Sequence, residues 1–169
     1  MNNAGQDSMR QYLTFLLNQE VFALEIDKVR EVMDFTDVTK VPQTPEYMRG
    51  VINLRGNVVP VVDLRLKFDM GETEKSVNTC VIIAEVAVDG ETVILGAMAD
   101  SVQEVLDLED AQIEPAPRIG TRLNVEFIKG MGKHGDSFII ILDIDKCFSL
   151  HEVTISGEPE DEVRLSANS

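Results

Sequence analysis

Gly50-Val51-Ile52-Asn53-Leu54-Arg55-Gly56-Asn57-Val58-Val59-Pro60-Val61-Val62-Asp63-Leu64-Arg65-Leu66-Lys67-Phe68 is the stretch that decides the fold. Two runs rich in Val, Ile and Leu flank Asn53-Leu54-Arg55-Gly56-Asn57. Gly and Asn tolerate the positive φ of a tight reversal, so the stretch reads as a β-hairpin with Arg55 near its tip. A guanidinium on such a scaffold is presented rigidly to a partner. Working outward, the same pattern returns further along. Glu46-Tyr47-Met48-Arg49-Gly50-Val51 reappears as Glu126-Phe127-Ile128-Lys129-Gly130-Met131, and residues 58–68 reappear as 138–148 at the same offset of 80 residues. Asp63 then matches Asp143 and Phe68 matches Phe148. Upstream, residues 27–37 return as 100–110 at an offset of 73 residues. The chain is therefore a duplication, with about seven extra residues between Ile113 and Val125 in the second copy.

Length and charge narrow the function. The 169 residues, 44% of them hydrophobic, suffice for a packed core. Thirty acidic against fifteen basic residues give a net charge of −15, which repels phosphate backbones and anionic membrane surfaces. With no Trp, seven Phe and two Tyr, no aromatic platform for stacking bases stands out, so nucleic acid is not an expected partner. Cys80 and Cys147 lie far apart, and the N-terminus has neither a basic start nor an apolar core of a signal peptide. A reduced, cytoplasmic setting follows as the expectation. No apolar run approaches the roughly twenty residues of a bilayer span, so any membrane association comes through a partner.

Taken in order, residues 13–17 and 21–26 read as a hairpin. Residues 27–33 read as a strand, with Val29, Glu31 and Met33 on one face and Arg30 and Val32 on the other. Residues 38–41 form a short extended run stopped by Pro42, residues 46–49 one helical turn, and residues 64–68 a short helical segment. A charged connector at 71–76 is the expected boundary. The second half opens with strands 80–88 and 92–99 around Asp89-Gly90, a strong hairpin signal, and closes with strands 125–131 and 137–144. Short strands at close spacing, twice over, predict an all-β protein of two small packed barrels, because each half alone is marginal in core size. Residues 1–11 and 151–169 are expected to be flexible tails.

Catalytic chemistry finds no support. Gly130-Met131-Gly132-Lys133-His134-Gly135 has Gly-x-Gly-x-x-Gly spacing, but a strand follows it rather than a helix, and the repeat makes it a hairpin. Asp143 and Asp145 alternate along the expected strand; Asp63 repeats Asp143 with no second acid at Arg65, which favours turn-capping over acid–base work. His134, His151, Cys80 and Cys147 have no metal-ligand spacing, so neither a metal, a cofactor nor a catalytic residue is expected. Arg55 and Glu31 remain: a pair between them would fix the guanidinium and leave part of it for a partner.

Ile26-Asp27-Lys28-Val29-Arg30-Glu31-Val32, then residues 42–56 from Pro42 through Asn53-Leu54-Arg55-Gly56, then Val59-Pro60-Val61-Val62-Asp63-Leu64-Arg65, resemble the CheW family of bacterial chemotaxis coupling proteins. The likeness runs from about Tyr12 to Leu150 and includes Ile113-Glu114-Pro115-Ala116-Pro117. It implies two intertwined five-stranded SH3-like barrels within residues 12–150, the first about 18–78 and the second about 79–150, with a strand at 12–17 as a candidate addition to the latter. It also implies an adaptor that joins methyl-accepting chemoreceptors to the regulatory domain of the histidine kinase CheA, cytoplasmic and recruited to receptor arrays at the inner membrane. Arg55, Glu31, Val29 and Val32 would face the receptor; Phe35, Val38, Val41, Glu114 and Ile119 would face the kinase. Two rival readings are a CheV-like coupler fragment, against which the short chain argues, and a small-ligand sensor using the groove between barrels.

Overall fold

Short apolar runs separated by residues that accept positive φ give strands joined by two-residue turns. The computed structural model describes residues 9–115 and 125–148. Its strands are β1 (Met9–Leu17), β2 (Glu20–Glu25), β3 (Val29–Asp34), β4 (Met48–Leu54), β5 (Asn57–Asp63), β6 (Cys80–Val88), β7 (Glu91–Ala99), β8 (Ser101–Glu109), β9 (Ile113–Glu114), β10 (Ile128–His134) and β11 (Ser137–Leu142). The turns Asn18-Gln19, Arg55-Gly56 and Asp89-Gly90 hold both residues at positive φ, the geometry that matches the twist of the strands they join. Helical turns Leu64–Lys67 and Ile144–Cys147 follow β5 and β11, as the repeat requires.

The sheets do not follow the chain. One has the order β3-β6-β7-β5-β4, the other β8-β1-β2-β11-β10-β9. Each copy thus lends its first hairpin to the other: β1–β2 lies in the second sheet and β6–β7 in the first. The expected split near residue 78 cuts across this exchange, since β2 precedes the cut yet belongs to the second sheet, and β6 and β7 follow it yet belong to the first. Two hairpins fastened to the opposite half by parallel ladders make the halves intertwined.

Other boundaries shift as well. Residues 9–11, expected in a tail, are strand, because Met9, Arg10 and Gln11 pair with Glu109, Leu108 and Asp107. Residues 46–47 form a turn closed by Met48 N–H to the Pro45 carbonyl at 2.9 Å, and β4 begins at once, so the expected helical turn at 46–49 is absent. Residues 125–127 are a single 3-10 turn ahead of β10. Asp145 lies in a helical turn, off the strand where alternation had placed it.

Three apolar clusters fill the molecule. The largest, with Phe15, Leu17, Phe22, Leu24, Leu64, Ile82 and Leu95 fully buried, lies between the sheets. Smaller clusters line each sheet's other face: Ile52, Val59, Val61, Val81, Ile83 and Met98 in the first, Tyr12, Ala23, Leu108, Ile139 and Ile141 in the second. This explains why residues 80–84 are buried without alternation, since one face meets the seam and the other the first sheet's interior. Each such Leu, Ile or Phe contributes roughly 1.5–3 kcal/mol of burial. Gly96 is needed for close approach: a Cβ there would stand 2.6 Å from Val81 Cγ1. Across the seam the copies meet as equivalents. Tyr47 packs on Phe148 at 6.0 Å between centroids, and its counterpart Phe127 packs on Phe68 at 5.9 Å.

The ends of β5 and β11 differ more. Asp63 is wholly buried and accepts from the amides of Arg65, Leu66 and Thr73, the Thr73 hydroxyl and the Arg49 guanidinium. It caps the helical turn and ties Thr73 of the connector to the first sheet. Asp143, its counterpart, makes no side-chain cap.

Candidate functional site

The tip of the β4–β5 hairpin is the most informative local feature. Arg55 has φ +52°, a conformation that costs an L residue with a Cβ about 1 kcal/mol and that Asn or Gly would occupy more easily. The turn is held by the Asn53 side-chain oxygen, which accepts from the Gly56 amide at 2.8 Å. The matching position of the other copy, Gly135, carries a glycine at φ +63°. An arginine kept where the backbone prefers glycine points to a role for its side chain.

That side chain is held in place. Arg55 Nη1 and Nη2 donate to the two oxygens of Glu31 at 2.7 and 2.9 Å, a bidentate fork from the hairpin tip to β3. The guanidinium side chain stays 70% exposed while that of Glu31 is 32% exposed, so one edge is tied and the rest faces solvent. The hydrogen bond from Arg55 holds the Glu31 carboxyl below its usual range, and Glu31 raises the Arg55 value in return.

The other residues expected beside this pair divide. The expected single face for Val29, Glu31 and Met33 is broken by a register shift between Val29 and Glu31: Glu31 and Met33 pair with Ile83 and Val81 of the first sheet's inner cluster, whereas Val29 pairs with Ala84 on the other face. Val29 packs against the central cluster. Val32 is exposed and pairs with Ile82, on the side of the strand opposite Glu31, while Arg30 stands at the register shift and pairs with Glu85 at 2.6 Å. Glu31 and Arg55 are therefore joined directly, whereas Val32 belongs to the neighbouring face.

The residues expected to meet a second partner lie mainly in the loop after β3. Phe35 and Val38 are half-buried against the first sheet's inner cluster, and the Lys75 ammonium sits 5.2 Å from the Phe35 ring centroid. Val41 is half-buried, its carbonyl accepting from the Thr44 hydroxyl. Glu114 is exposed and pairs with Met131. In the other copy Thr39 bridges to Val51, the counterpart of Met131, so Glu114 and the 35–41 loop occupy corresponding corners of the two sheets. Ile119 lies outside the described residues, as does His151.

Sequence reasoning missed one pattern. Val32 and Val58 are exposed in the first copy, and the residues matching them at offsets of 73 and 80, Val105 and Phe138, are exposed in the second. Outward strand positions that stay apolar in both copies are candidate contact points, and the repeat alignment combined with strand alternation contained the signal. Cys80 and Cys147 are free and buried, and burial pushes the Cys147 thiol up to about 12. Among the described residues no three His, Cys, Asp or Glu side chains are grouped as a metal ion would need, and no helix is long and apolar enough to cross a membrane.

Comparison with known proteins agrees with this architecture. The family model described as CheW-like domain matches residues 11–152. Chemotaxis protein CheW of Klebsiella aerogenes is 36% identical over 152 residues, covering 90% of this chain and 89% of its own. Chemotaxis protein CheW of Rhizobium meliloti is 31% identical over 155 residues, covering 90% and 97%. The crystal structure of the scaffolding protein TtCheW from Thermoanaerobacter tengcongensis superposes with a TM-score of 0.74 at 35% identity, over 85% of this chain and 90% of that one. With a duplicated all-β chain, exchanged hairpins and an exposed arginine tip already in view, these matches lead to one conclusion: the chain belongs to the CheW family.

Proposed function

We propose that this protein is a chemotaxis adaptor that joins membrane chemoreceptors to a histidine kinase by binding both at once, with no catalysis of its own. The family membership and the scaffolding relative support the adaptor role. Arg55 and Glu31 form the receptor-facing site, extended by exposed Val32 on the neighbouring face of β3 and backed by Val29, which packs against the central cluster. Phe35, Val38 and Val41, with Glu114 and Ile119 on the second copy, face the kinase's regulatory domain. Matched corners on two sheets suit an adaptor, because a protein built of similar halves can meet partners of the same fold at either end. The protein works in the cytoplasm and reaches the membrane through receptors, a reading supported by a net charge of −15.

The single observation that carries the receptor site is the strained, forked Arg55. Arg55→Gly relieves the positive-φ cost of about 1 kcal/mol and removes an exposed, solvent-screened pair that adds little to stability, so the unfolding midpoint should stay nearly unchanged. Co-sedimentation with receptor-bearing membranes, with and without kinase, should fall about tenfold or more while the unfolding midpoint holds. Undiminished co-sedimentation would remove Arg55 from the receptor site.

A further inference from the structure

We infer that two charge clasps of opposite polarity, Arg65–Asp100 and Lys28–Asp145, set the orientation of one sheet against the other, and that coupling of the two partners depends on them. The chain crosses between sheets at two corners. It passes from β2 to β3 through the 3-10 turn Ile26–Lys28, and from β7 to β8 through Asp100 alone. Each corner carries a charged side chain that bonds the helical turn ending the adjacent half.

At the β7–β8 corner, Asp100 accepts from Arg65 Nη1 at 3.4 Å and from the Asn18 amide at 2.7 Å, while its own amide donates to the Leu16 carbonyl at 3.0 Å. Arg65 Nη2 also donates to the Met70 carbonyl. Arg65 follows β5 of the first sheet, and Asn18 is in the β1–β2 turn of the second. Asp100 thus ties the two sheets at the point where the chain leaves one for the other.

The β2–β3 corner repeats the arrangement with the charges reversed. Lys28 Nζ donates to Asp145 Oδ2 at 2.7 Å, and Asp145 Oδ1 accepts from the Ala87 amide at 2.8 Å. Asp145 is the counterpart of Arg65 at the offset of 80 residues. The registers place Asn18 and Ala87 alike: Thr14 faces Ala23, which pairs with Ile141, as Ile83 faces Gly96, which pairs with Val61. At both corners a carboxylate takes a hairpin amide from one sheet and a cation from across the corner.

All four charged side chains are more than two-thirds buried, so each ion pair is less screened than one at the surface. The central apolar cluster resists separation of the sheets but has little direction of its own. Charged pairs bound to fixed amides supply direction. With the receptor contacts on the first half and the kinase contacts on both, transmission between the partners needs a fixed angle between halves, which makes these four positioning residues. For its coupling readout the inference rests on the adaptor reading above; its geometric readout does not.

The test uses the full chain with Lys28→Asp, which sets two carboxylates together, and Lys28→Asp/Asp145→Lys, which restores an opposite-charge pair. Lys28→Met serves as a milder lesion should Lys28→Asp not fold. Spin labels at Glu91 in the first sheet and Asp136 beyond β10 in the second report the inter-sheet distance by pulsed electron resonance. The single variants should broaden that distance distribution and lower kinase activation on receptor membranes about tenfold, with each partner bound singly within about twofold of the parent. The double variant should narrow the distribution again and regain much of the activation. A Lys28→Met or Lys28→Asp protein that keeps both the narrow distribution and full activation overturns the inference, as does a double variant that folds but recovers neither. A parent protein that binds no partner, with variants that still show the broadening and rescue, would sink the adaptor reading and leave the clasps standing.

Discussion

Asp63→Asn tests how a buried carboxylate holds the first half together. Oδ1 of Asp63 accepts from the Arg65 and Leu66 amides at 3.0 and 3.4 Å and from the Thr73 hydroxyl at 2.6 Å. Oδ2 accepts from the Thr73 amide at 2.9 Å and from Arg49 Nη1 at 3.0 Å. An amide has one acceptor oxygen. Kept at the Oδ1 position, it turns its NH2 group toward two donors, so one charge-assisted and one neutral bond are lost and donors face each other. The charge-assisted bond is worth about 1.5–3 kcal/mol and the neutral one about 1. Arg49 keeps Glu72 at 3.3 Å, but that carboxylate is largely exposed and offsets only a fraction. The expected loss is about 2–4 kcal/mol, read as a lowered urea midpoint with unchanged slope.

Duplication supplies the internal control. Asp143 occupies the same place in the second copy but makes no cap bond, with Lys146 at 4.0 Å as its ion-pair neighbour. Asp143→Asn should therefore cost less than about 1 kcal/mol. Losses for the two variants that agree within about 1 kcal/mol would refute the account of Asp63 as an anchor of the connector.

Two further outcomes follow from the titrating groups. The Glu31 carboxyl, followed by carbon NMR, should titrate below the ordinary glutamate value and move upward in Arg55→Gly. Because its folded value is lowered, the fork's contribution is present above the ordinary glutamate range and is lost as pH falls through the lowered value. An unmoved titration in Arg55→Gly would mean the fork does not persist in solution. Cys147, pushed up to about 12 by burial, and Cys80, raised by the same cause, should resist a thiol reagent at pH 8 in the native protein and react only on unfolding. Rapid native labelling of Cys147 would show that the seam opens.

The local pieces were legible in the residues themselves. Asp89-Gly90 announced a tight turn and residues 53–57 a reversal with Arg55 near its tip, and both appear, the second as an Arg55-Gly56 turn, with positive φ at each turn residue. The pairing of Arg55 with Glu31 was open to inference because one charge lay at a hairpin tip and the other on a strand of the same copy. Val32 was harder. The family resemblance implied a surface shared with Glu31, although strand alternation had already put the two on opposite faces, where the structure has them. Asp145 was misread for a related reason: alternation was extended past Leu142, where β11 ends and a helical turn begins.

The hairpin exchange was not legible from apolar pattern alone, because each hairpin has the faces needed to pair in either sheet. Connection length decides the matter. Between Ala99 and Ser101 stands Asp100 alone, and a return beside β7 in the same sheet needs a turn of about two residues. A one-residue corner sends the chain onward, so β8 enters the second sheet and pairs with β1. The three-residue 3-10 turn before β3 does the same, and β3 pairs with β6 rather than returning along β2. Once both corners send the chain onward, each half can fill its sheet only with the other's hairpin. The residues at those corners, Asp100 and Lys28, then stand where topology and ion pairing meet, so a protein that must present two faces at a fixed angle has its control points at the shortest connections between its sheets.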